Sequence, residues 1–148
     1  MMPGIDITLK QRLGDFQLDV QLSILASGVT ALFGPSGSGK TTILRALAGL
    51  TRIADGRIKV GDMVWQDGDG FVAPHKRPLG YVFQQPTLFP HLSVRDNLEY
   101  GLRRIAHEQR RIEFATVVEL LGVTPLLQRA TTRLSGGERQ RVVIARAL

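Results

Sequence analysis

Residues 34–42 read Gly-Pro-Ser-Gly-Ser-Gly-Lys-Thr-Thr, the most informative stretch of the chain. It matches the pattern of a glycine, four free positions and Gly-Lys-Ser/Thr that binds nucleotide phosphates. The apolar run at 29–33 predicts a short buried strand before it, and residues 43–48 predict a helix that stops at Gly49. A strand, a glycine loop and a helix in this order are the context that the motif requires.

The residue types of this loop suit an anion. Glycines let the backbone turn several N–H groups towards one phosphate, and the helix start adds free donors and a positive dipole end. Lys40 supplies a point charge for the β- and γ-phosphates, and the Thr41 hydroxyl can bind Mg²⁺. An ordinary Gly/Ser turn is the alternative, but it does not explain the Lys-Thr pair. The predicted phosphate-binding residues are Gly34, Pro35, Ser36, Gly37, Ser38, Gly39, Lys40, Thr41 and Thr42.

Length and composition exclude several classes of protein. The 148 residues allow one domain of ordinary size, and a hydrophobic share of 43% is enough for a core. The absence of cysteine excludes disulfides and cysteine zinc sites. No apolar run approaches the roughly 20 residues of a membrane helix, and the start lacks a signal-peptide pattern. We therefore expect a cytoplasmic protein, or one held at a membrane by a partner.

The net charge of +6 is concentrated in the second half of the chain. Residues 101–148 hold nine arginines and four acidic residues. Nucleic-acid binding is one interpretation of such a half. However, no basic run alternates with aromatic residues, as surfaces that bind single strands usually do. Solvated helix faces, with attraction for nucleotide phosphates or lipid headgroups, explain the charge more simply, so we expect no nucleic-acid partner.

Periodicity predicts the remaining elements. Alternating apolar and polar residues predict an antiparallel pair of strands at 5–9 and 16–22, joined by a turn at 11–15. They also predict a later hairpin with strands at 57–60 and 63–65. Residues 79–83 predict a buried strand, so Gln84 would stand at a strand end suited to a ligand. Apolar spacing predicts helices at 93–100, capped by Ser93, and at 107–121. Leu88 and Phe89 are either core residues or an exposed docking surface.

A second glycine site follows at Leu134-Ser135-Gly136-Gly137-Glu138. Ser135 and Glu138 fit a capping box at the start of a helix over 136–148. A serine hydroxyl, glycine N–H groups and a helix start can also bind an anion. Taken alone, the stretch favours a capped helix.

Taken together, these stretches resemble a known family. The loop at 34–42, the segment Tyr-Val-Phe-Gln-Gln at 81–85 and Leu-Ser-Gly-Gly-Glu-Arg-Gln-Arg at 134–141 occur in the order seen in ATP-binding subunits of ABC transporters. The runs at 28–42, 77–84 and 88–102 are most similar to the subunits that serve molybdate importers. The resemblance covers almost the whole chain.

The resemblance implies an α/β fold: a P-loop NTPase core with an N-terminal antiparallel β subdomain (about 1–92), a helical subdomain (about 93–134) and a signature helix (135–148). It implies two subunits that enclose ATP and Mg²⁺, with the signature of one facing the phosphates on the other. Lys40 and Gln84 would then be catalytic, and Thr41 and Gln84 would serve Mg²⁺. The signature residues in contact with nucleotide would be Ser135, Gly136, Gly137 and Glu138.

The resemblance also implies partners and a location. A membrane permease would dock near residues 86–94, at the cytoplasmic face of the membrane, and ATP hydrolysis would drive import of an oxyanion. Importers of other substrates remain an alternative. Chromosome or DNA-repair ATPases of the same class would carry long coiled coils or cysteine modules between these motifs, and nucleotide kinases would lack the signature.

Two departures from the family pattern affect the expected activity. Leu13 stands where an aromatic residue usually stacks on adenine, and Phe16 is a possible substitute. The chain also ends within the signature helix, before the family's Asp-Glu strand that binds Mg²⁺ and polarises water. We therefore interpret the chain as an N-terminal part of a longer ATPase, marginally stable, which holds ATP but cleaves little of it. A non-hydrolysing nucleotide-binding module is the alternative.

Overall fold

A computed structural model describes residues 4–14, 16–25, 27–106, 108, 110 and 112–148, without the Leu13 side chain. The chain forms two compact units, residues 1–79 and 80–148, which are described separately. The finer division into 1–92, 93–134 and 135–148 stays a prediction. No helix among the described residues is long and apolar enough to cross a membrane.

The first unit is built on an antiparallel sheet of five strands. In chain order the strands are β1 (Ile5–Leu13), β2 (Phe16–Ile24), β3 (Asp55–Val60), β4 (Met63–Asp67) and β5 (Gly70–Phe71). Their order across the sheet is β2-β1-β3-β4-β5. The predicted strand pair and hairpin are confirmed. The turn expected at 11–15 is shorter than predicted, because Gln11 pairs with Leu18 and Arg12 with Gln17.

The alternating pattern of β1 and β2 places apolar residues on one face of the sheet. Ile7 lies opposite Leu22 on β2 and Ile58 on β3, so the apolar side chains of three strands meet. Helix α1 (Lys40–Leu47) contributes Ile43 and Ala46 to this core. The core contains Ile7, Leu9, Leu18, Ile43, Ala46, Ile53, Ile58 and Trp65. Burial of these side chains holds the helix that follows the phosphate loop.

The second unit is helical. Helix α2 (Val94–Leu102) begins after Ser93, whose hydroxyl accepts a hydrogen bond from the Asp96 N–H, as predicted. Helices α3 (Phe114–Leu120) and α4 (Gly136–Ala147) follow. Their apolar faces form a second core with Val94, Leu98, Val117, Val118, Val123, Leu126, Leu127, Leu134, Val142 and Ala145. This core connects the segment after Gln84 with the helix that follows the second glycine site.

Three predicted elements differ from the structure. Residues 29–33 and 79–83 are not strands; Val29 and Phe33 are fully exposed, and Phe83 is 40% exposed. Neither segment pairs with a described strand, so no hydrogen-bond ladder fixes it. Of the helix predicted over 107–121, the described residues form α3 at Phe114–Leu120, which begins after Glu113 because Glu113 has extended backbone angles. His107, Gln109 and Arg111 lie outside the described residues.

Candidate nucleotide-binding site

The phosphate loop has the backbone geometry that its glycines predict. Gly37 and Gly39 have φ angles of 82° and 86°, a left-handed region that favours glycine. A Cβ atom on Gly39 would lie 2.8 Å from Cδ1 of the buried Leu18. Gly39 therefore lets the loop approach β2 and enter α1 directly. The first turn of α1 starts at Lys40 and contains no acidic residue, so nothing on the helix opposes an anion there.

The Lys40 ammonium lies over the loop. Its Nζ donates hydrogen bonds to the carbonyl oxygens of Gly34 at 2.9 Å and Pro35 at 2.6 Å. It also lies 3.3 Å from the Ser38 hydroxyl oxygen. The lysine is only partly buried, and its contacts are neutral oxygens without a carboxylate. Its charge is therefore free to pair with an incoming phosphate, and the arrangement suits anion binding.

The sides of the loop are open. A Cβ atom at Gly37 would meet nothing within 4 Å. Thr41 is exposed and Thr42 is half-buried. The Thr41 hydroxyl makes no hydrogen bond to the described residues, so it is available to a metal ion at the loop. An incoming anion or metal ion can therefore reach Gly37 and Thr41 from solvent.

An aromatic residue lies beside the loop. Cζ of Phe16 would be 3.4 Å from a Cβ atom on Gly39, and the Phe16 side chain is 36% exposed. An exposed ring at the rim of a phosphate site can stack on a base. The Leu13 side chain lies outside the described residues. The assignment of an adenine contact to Phe16 or Leu13 stays a prediction.

The second glycine site forms the predicted capping box. The Ser135 hydroxyl accepts a hydrogen bond from the Glu138 N–H at 3.3 Å, and Glu138 Oε2 accepts one from the Ser135 N–H at 2.8 Å. Hydrogen bonding of the Glu138 carboxylate to the Ser135 backbone N–H, and then to the Ser135 hydroxyl, lowers the pKa of Glu138. Gly136 and Gly137 are exposed, and no atom lies within 4 Å of either Cβ position. The start of α4 therefore presents an open surface of backbone N–H groups.

Gln84 is exposed in a bend, and the segment that follows it is tightly held. The fully buried Asn97 side chain on α2 accepts a hydrogen bond from the Phe89 N–H at 2.8 Å and donates one to the Phe89 carbonyl at 3.1 Å. The Thr131 hydroxyl reaches the same carbonyl at 3.4 Å. Arg146 on α4 donates to the Thr87 carbonyl at 2.6 Å.

Sequence reasoning missed these three supporting residues. The available signal was Asn97, a polar residue on the apolar face of α2 between Val94 and Leu98. The sequence left open whether Leu88 and Phe89 are core residues or an exposed docking surface. Leu88 packs against the second core, and the Phe89 ring lies 4.5 Å from the Tyr100 ring. Both are half-buried, so each has a packing role within the second unit.

The predicted site residues lie in both units. Gly34 to Thr42 belong to the first unit, and Gln84 and Ser135 to Glu138 belong to the second. Within the second unit, Asn97, Thr131 and Arg146 connect the segment after Gln84 to α2 and α4. The roles assigned to Gln84, Ser135, Gly136, Gly137 and Glu138 stay predictions.

The family model described as "ABC transporter" matches residues 18–148. The chain belongs to this family. Proteins named molybdenum import ATP-binding protein ModC are similar to it. That of Pseudomonas savastanoi pv. phaseolicola is 55% identical over 150 residues, which cover 100% of this chain and 41% of that protein. The Pseudomonas fluorescens protein is 59% identical over 97% of this chain and 41% of its own length. The Rhodobacter capsulatus protein is 58% identical over a stretch that covers 93% of this chain and 38% of that protein.

Solved structures show the same fold, which confirms the predicted α/β ABC ATPase class. MJ1267, an ATP-binding cassette of an ABC transporter, matches with a TM-score of 0.74 and 26% identity, over 100% of this chain and 65% of that one. A second match is the structure of cbiO1 from Clostridium perfringens, part of the ABC transporter complex cbiONQ. Its TM-score is 0.79 at 24% identity, and the match covers 97% of this chain and 60% of that one. The chain spans about two fifths of the length of its curated relatives.

Proposed function

We propose that this chain binds ATP with Mg²⁺ and forms part of the ATP-binding subunit of a molybdate importer. The observation that carries nucleotide binding is the placement of the Lys40 ammonium, 2.9 Å from the Gly34 carbonyl and directly at the start of α1. A charged donor, loop N–H groups and a helix start then converge on one position. Lys40 binds the β- and γ-phosphates in this proposal.

The same loop fits the metal ion that accompanies ATP. Mg²⁺ prefers oxygen ligands and is usually bound by few protein groups together with phosphates. The exposed Thr41 hydroxyl beside Lys40 suits that role. Gln84, exposed at the start of its held segment, is the second proposed metal contact and orients the attacking water. The ion would neutralise the phosphate charge, and the two residues would hold the ion and the attacking water in place.

The open start of α4 supports a two-subunit site. Gly136 and Gly137 face free space at the start of α4. Their backbone N–H groups suit the phosphates held by the loop of a second copy. In this proposal the enzyme is a homodimer, and Ser135, Gly136, Gly137 and Glu138 of one copy complete the site of the other.

Molybdate import is proposed on the similarity to molybdenum import proteins at 55–59% identity. A permease would dock near residues 86–94, where a small pocket of about 120 Å³ is lined by Pro86, Leu88, Pro90, Thr131, Thr132 and Arg139. The protein would then work at the cytoplasmic face of the membrane. Disrupting the gene in its source organism should lower cellular molybdenum under limiting molybdate, and an unchanged content would overturn this assignment.

Nucleotide binding is tested by titrating the purified chain with MgATP in a calorimeter. Lys40→Ala removes the charged donor, and a hydrogen bond to a charged group contributes about 1.5–3 kcal/mol. We therefore expect Kd to rise roughly 10- to 100-fold. Lys76→Ala, at an exposed lysine of the same unit, is the matched control and should leave Kd unchanged. Absence of binding by the unsubstituted chain would refute the proposal.

A further inference from the structure

Arg77 is a buried arginine that the proposed chemistry does not use. Arg77 is 4% exposed, and among the described residues its guanidinium donates only to main-chain carbonyl oxygens. Nε lies 2.8 Å from the Val72 oxygen and Nη2 lies 3.4 Å from the Trp65 oxygen. Nη1 lies 2.8 Å from the Ala46 oxygen and 2.7 Å from the Leu47 oxygen. One side chain therefore joins α1 to the hairpin of β4 and β5.

Two of these acceptors belong to the last turn of α1, the helix that begins at Lys40. Carbonyl oxygens at a helix end lack partners within the helix and carry the negative end of its dipole. The backbone satisfies part of this end, since the Gly49 N–H donates to the Ala46 oxygen and the Leu50 N–H to the Arg45 oxygen. Arg77 takes the Leu47 oxygen and shares the Ala46 oxygen.

The surroundings of Arg77 are built for a planar cation. Its guanidinium carbon lies 4.9 Å from the Phe71 ring centroid and 5.4 Å from the Trp65 ring centroid. A Cβ atom on Gly49, which has a φ angle of 73°, would lie 2.8 Å from the guanidinium, so this glycine leaves room for it. Burial lowers the pKa of Arg77, but arginine stays charged in proteins. No described carboxylate forms an ion pair with it.

A buried charge without a carboxylate is costly unless its hydrogen bonds and its position are specific. A hydrophobic side chain would fill the same space against Trp65 and Phe71 without this cost. What only the guanidinium fork supplies is a fixed length and direction between the hairpin and the end of α1. Since α1 has eight residues and a helix rises about 1.5 Å per residue, a shift at its end is transmitted through a rigid rod to the phosphate loop.

We propose that Arg77 is a positioning residue for the phosphate loop: it anchors the last turn of α1 and so fixes where Lys40 and the loop N–H groups meet a nucleotide. The inference rests on the proposed nucleotide binding. It assigns to Arg77 no contact with the ligand. Small misplacements of binding groups are known to weaken a site strongly even when the substitution is remote.

The test compares matched variants of the whole chain. Arg77→Lys keeps the charge and removes the fork, whereas Ile58→Val removes a methylene from the same core and leaves the hydrogen bonds of Arg77 to α1 in place. Arg57→Lys changes an arginine that is exposed and paired with Asp67. Binding of MgADP is measured by calorimetry, below the unfolding temperature of each variant. In the unsubstituted chain, NMR follows the Arg77 Nε–H signal during MgADP titration.

We expect Arg77→Lys to weaken MgADP binding roughly tenfold, as losses of outer supporting groups do at metal sites. Ile58→Val and Arg57→Lys should bind as the unsubstituted chain does. If the position of Arg77 affects nucleotide binding, nucleotide binding must equally affect Arg77, so MgADP should shift the Arg77 Nε–H signal. This NMR measurement uses the unsubstituted chain, so it can be made even if a variant fails to fold.

Equal affinity of Arg77→Lys and the unsubstituted chain overturns the inference and leaves nucleotide binding intact. The inference is also overturned if Ile58→Val loses as much affinity as Arg77→Lys, because the loss would then follow from reduced stability in general. An Arg77 Nε–H signal that does not move at saturating MgADP also overturns it. If the unsubstituted chain binds no MgADP, the proposed function fails first and the inference fails with it.

Discussion

Asn97 illustrates how one buried polar side chain can position a loop. Its amide exchanges two hydrogen bonds with the Phe89 backbone and also donates to the Ser93 carbonyl at 2.9 Å. All these partners lie within one short stretch of chain, so the amide closes that stretch onto α2. Buried amides are retained in cores when each donor and acceptor has a partner. Here the donors and acceptor fix the segment between Gln84 and α2.

Asn97→Ala should destabilise the second unit, because it leaves the Phe89 N–H buried without its acceptor. An unsatisfied buried group costs about 1–3 kcal/mol. We expect the free energy of unfolding to fall by about that amount in urea titrations followed by circular dichroism. Gln140→Ala, at an exposed position on α4, is the control and should change it little. A loss in the control as large as that in Asn97→Ala would contradict the assignment.

Short-range residue patterns were readable from the sequence, and long-range ones were not. The phosphate loop and the Ser135–Glu138 cap depend on neighbours within a few positions, so glycine spacing and capping rules predict them. The α1 partners of Arg77, Ala46 and Leu47, lie 31 and 30 positions earlier, and no local pattern indicates a guanidinium bonded to their carbonyl oxygens. Such contacts follow from the packing of elements.

At the scale of elements, the start of α4 is both a cap and a candidate ligand site. The Glu138 carboxylate accepts the Ser135 N–H and lies 3.4 Å from Arg129 Nη1. The cap is therefore maintained while Glu138 is ionised. Any ligand that approaches Gly136 and Gly137 meets a helix start whose geometry depends on that charge. The stability of this cap therefore depends on pH.

The pH dependence of stability should therefore change in Glu138→Gln. The pKa of Glu138 is lower in the folded chain than its ordinary value of 4.5, so folding favours the ionised form. The stabilisation is complete above the ordinary value and is lost as pH falls through the lowered one. Urea midpoints at pH 7 and pH 3 should differ more for the unsubstituted chain than for Glu138→Gln. Glu119→Gln, an exposed glutamate on α3, should behave as the unsubstituted chain; equal pH responses in all three would contradict the cap's role.

Over the whole chain, apolar patterning located the sheet and the helices but overestimated burial. Alternation predicted β1 to β4 because one face of each strand packs on the first core. The continuous apolar runs at 29–33 and 79–83 predicted strands on the same principle. A strand exists only when a neighbour pairs with its backbone, and the described residues supply none there. Periodicity measures the tendency to be buried, whereas pairing depends on which other segments are present.

The exposure of residues 29–33 gives the last prediction. The Phe33 side chain is fully exposed, so replacing it by a polar residue removes no described contact. Surface substitutions usually change the free energy of unfolding by less than about 0.5 kcal/mol. Phe33→Ser should therefore leave the stability of the chain within that range while it reduces self-association, since exposed apolar patches promote aggregation. Ile53→Ser, at a fully buried position of the same unit, should instead destabilise strongly. Urea titration and light scattering measure the two effects, and a large loss of stability in Phe33→Ser would mean that this ring is buried in solution.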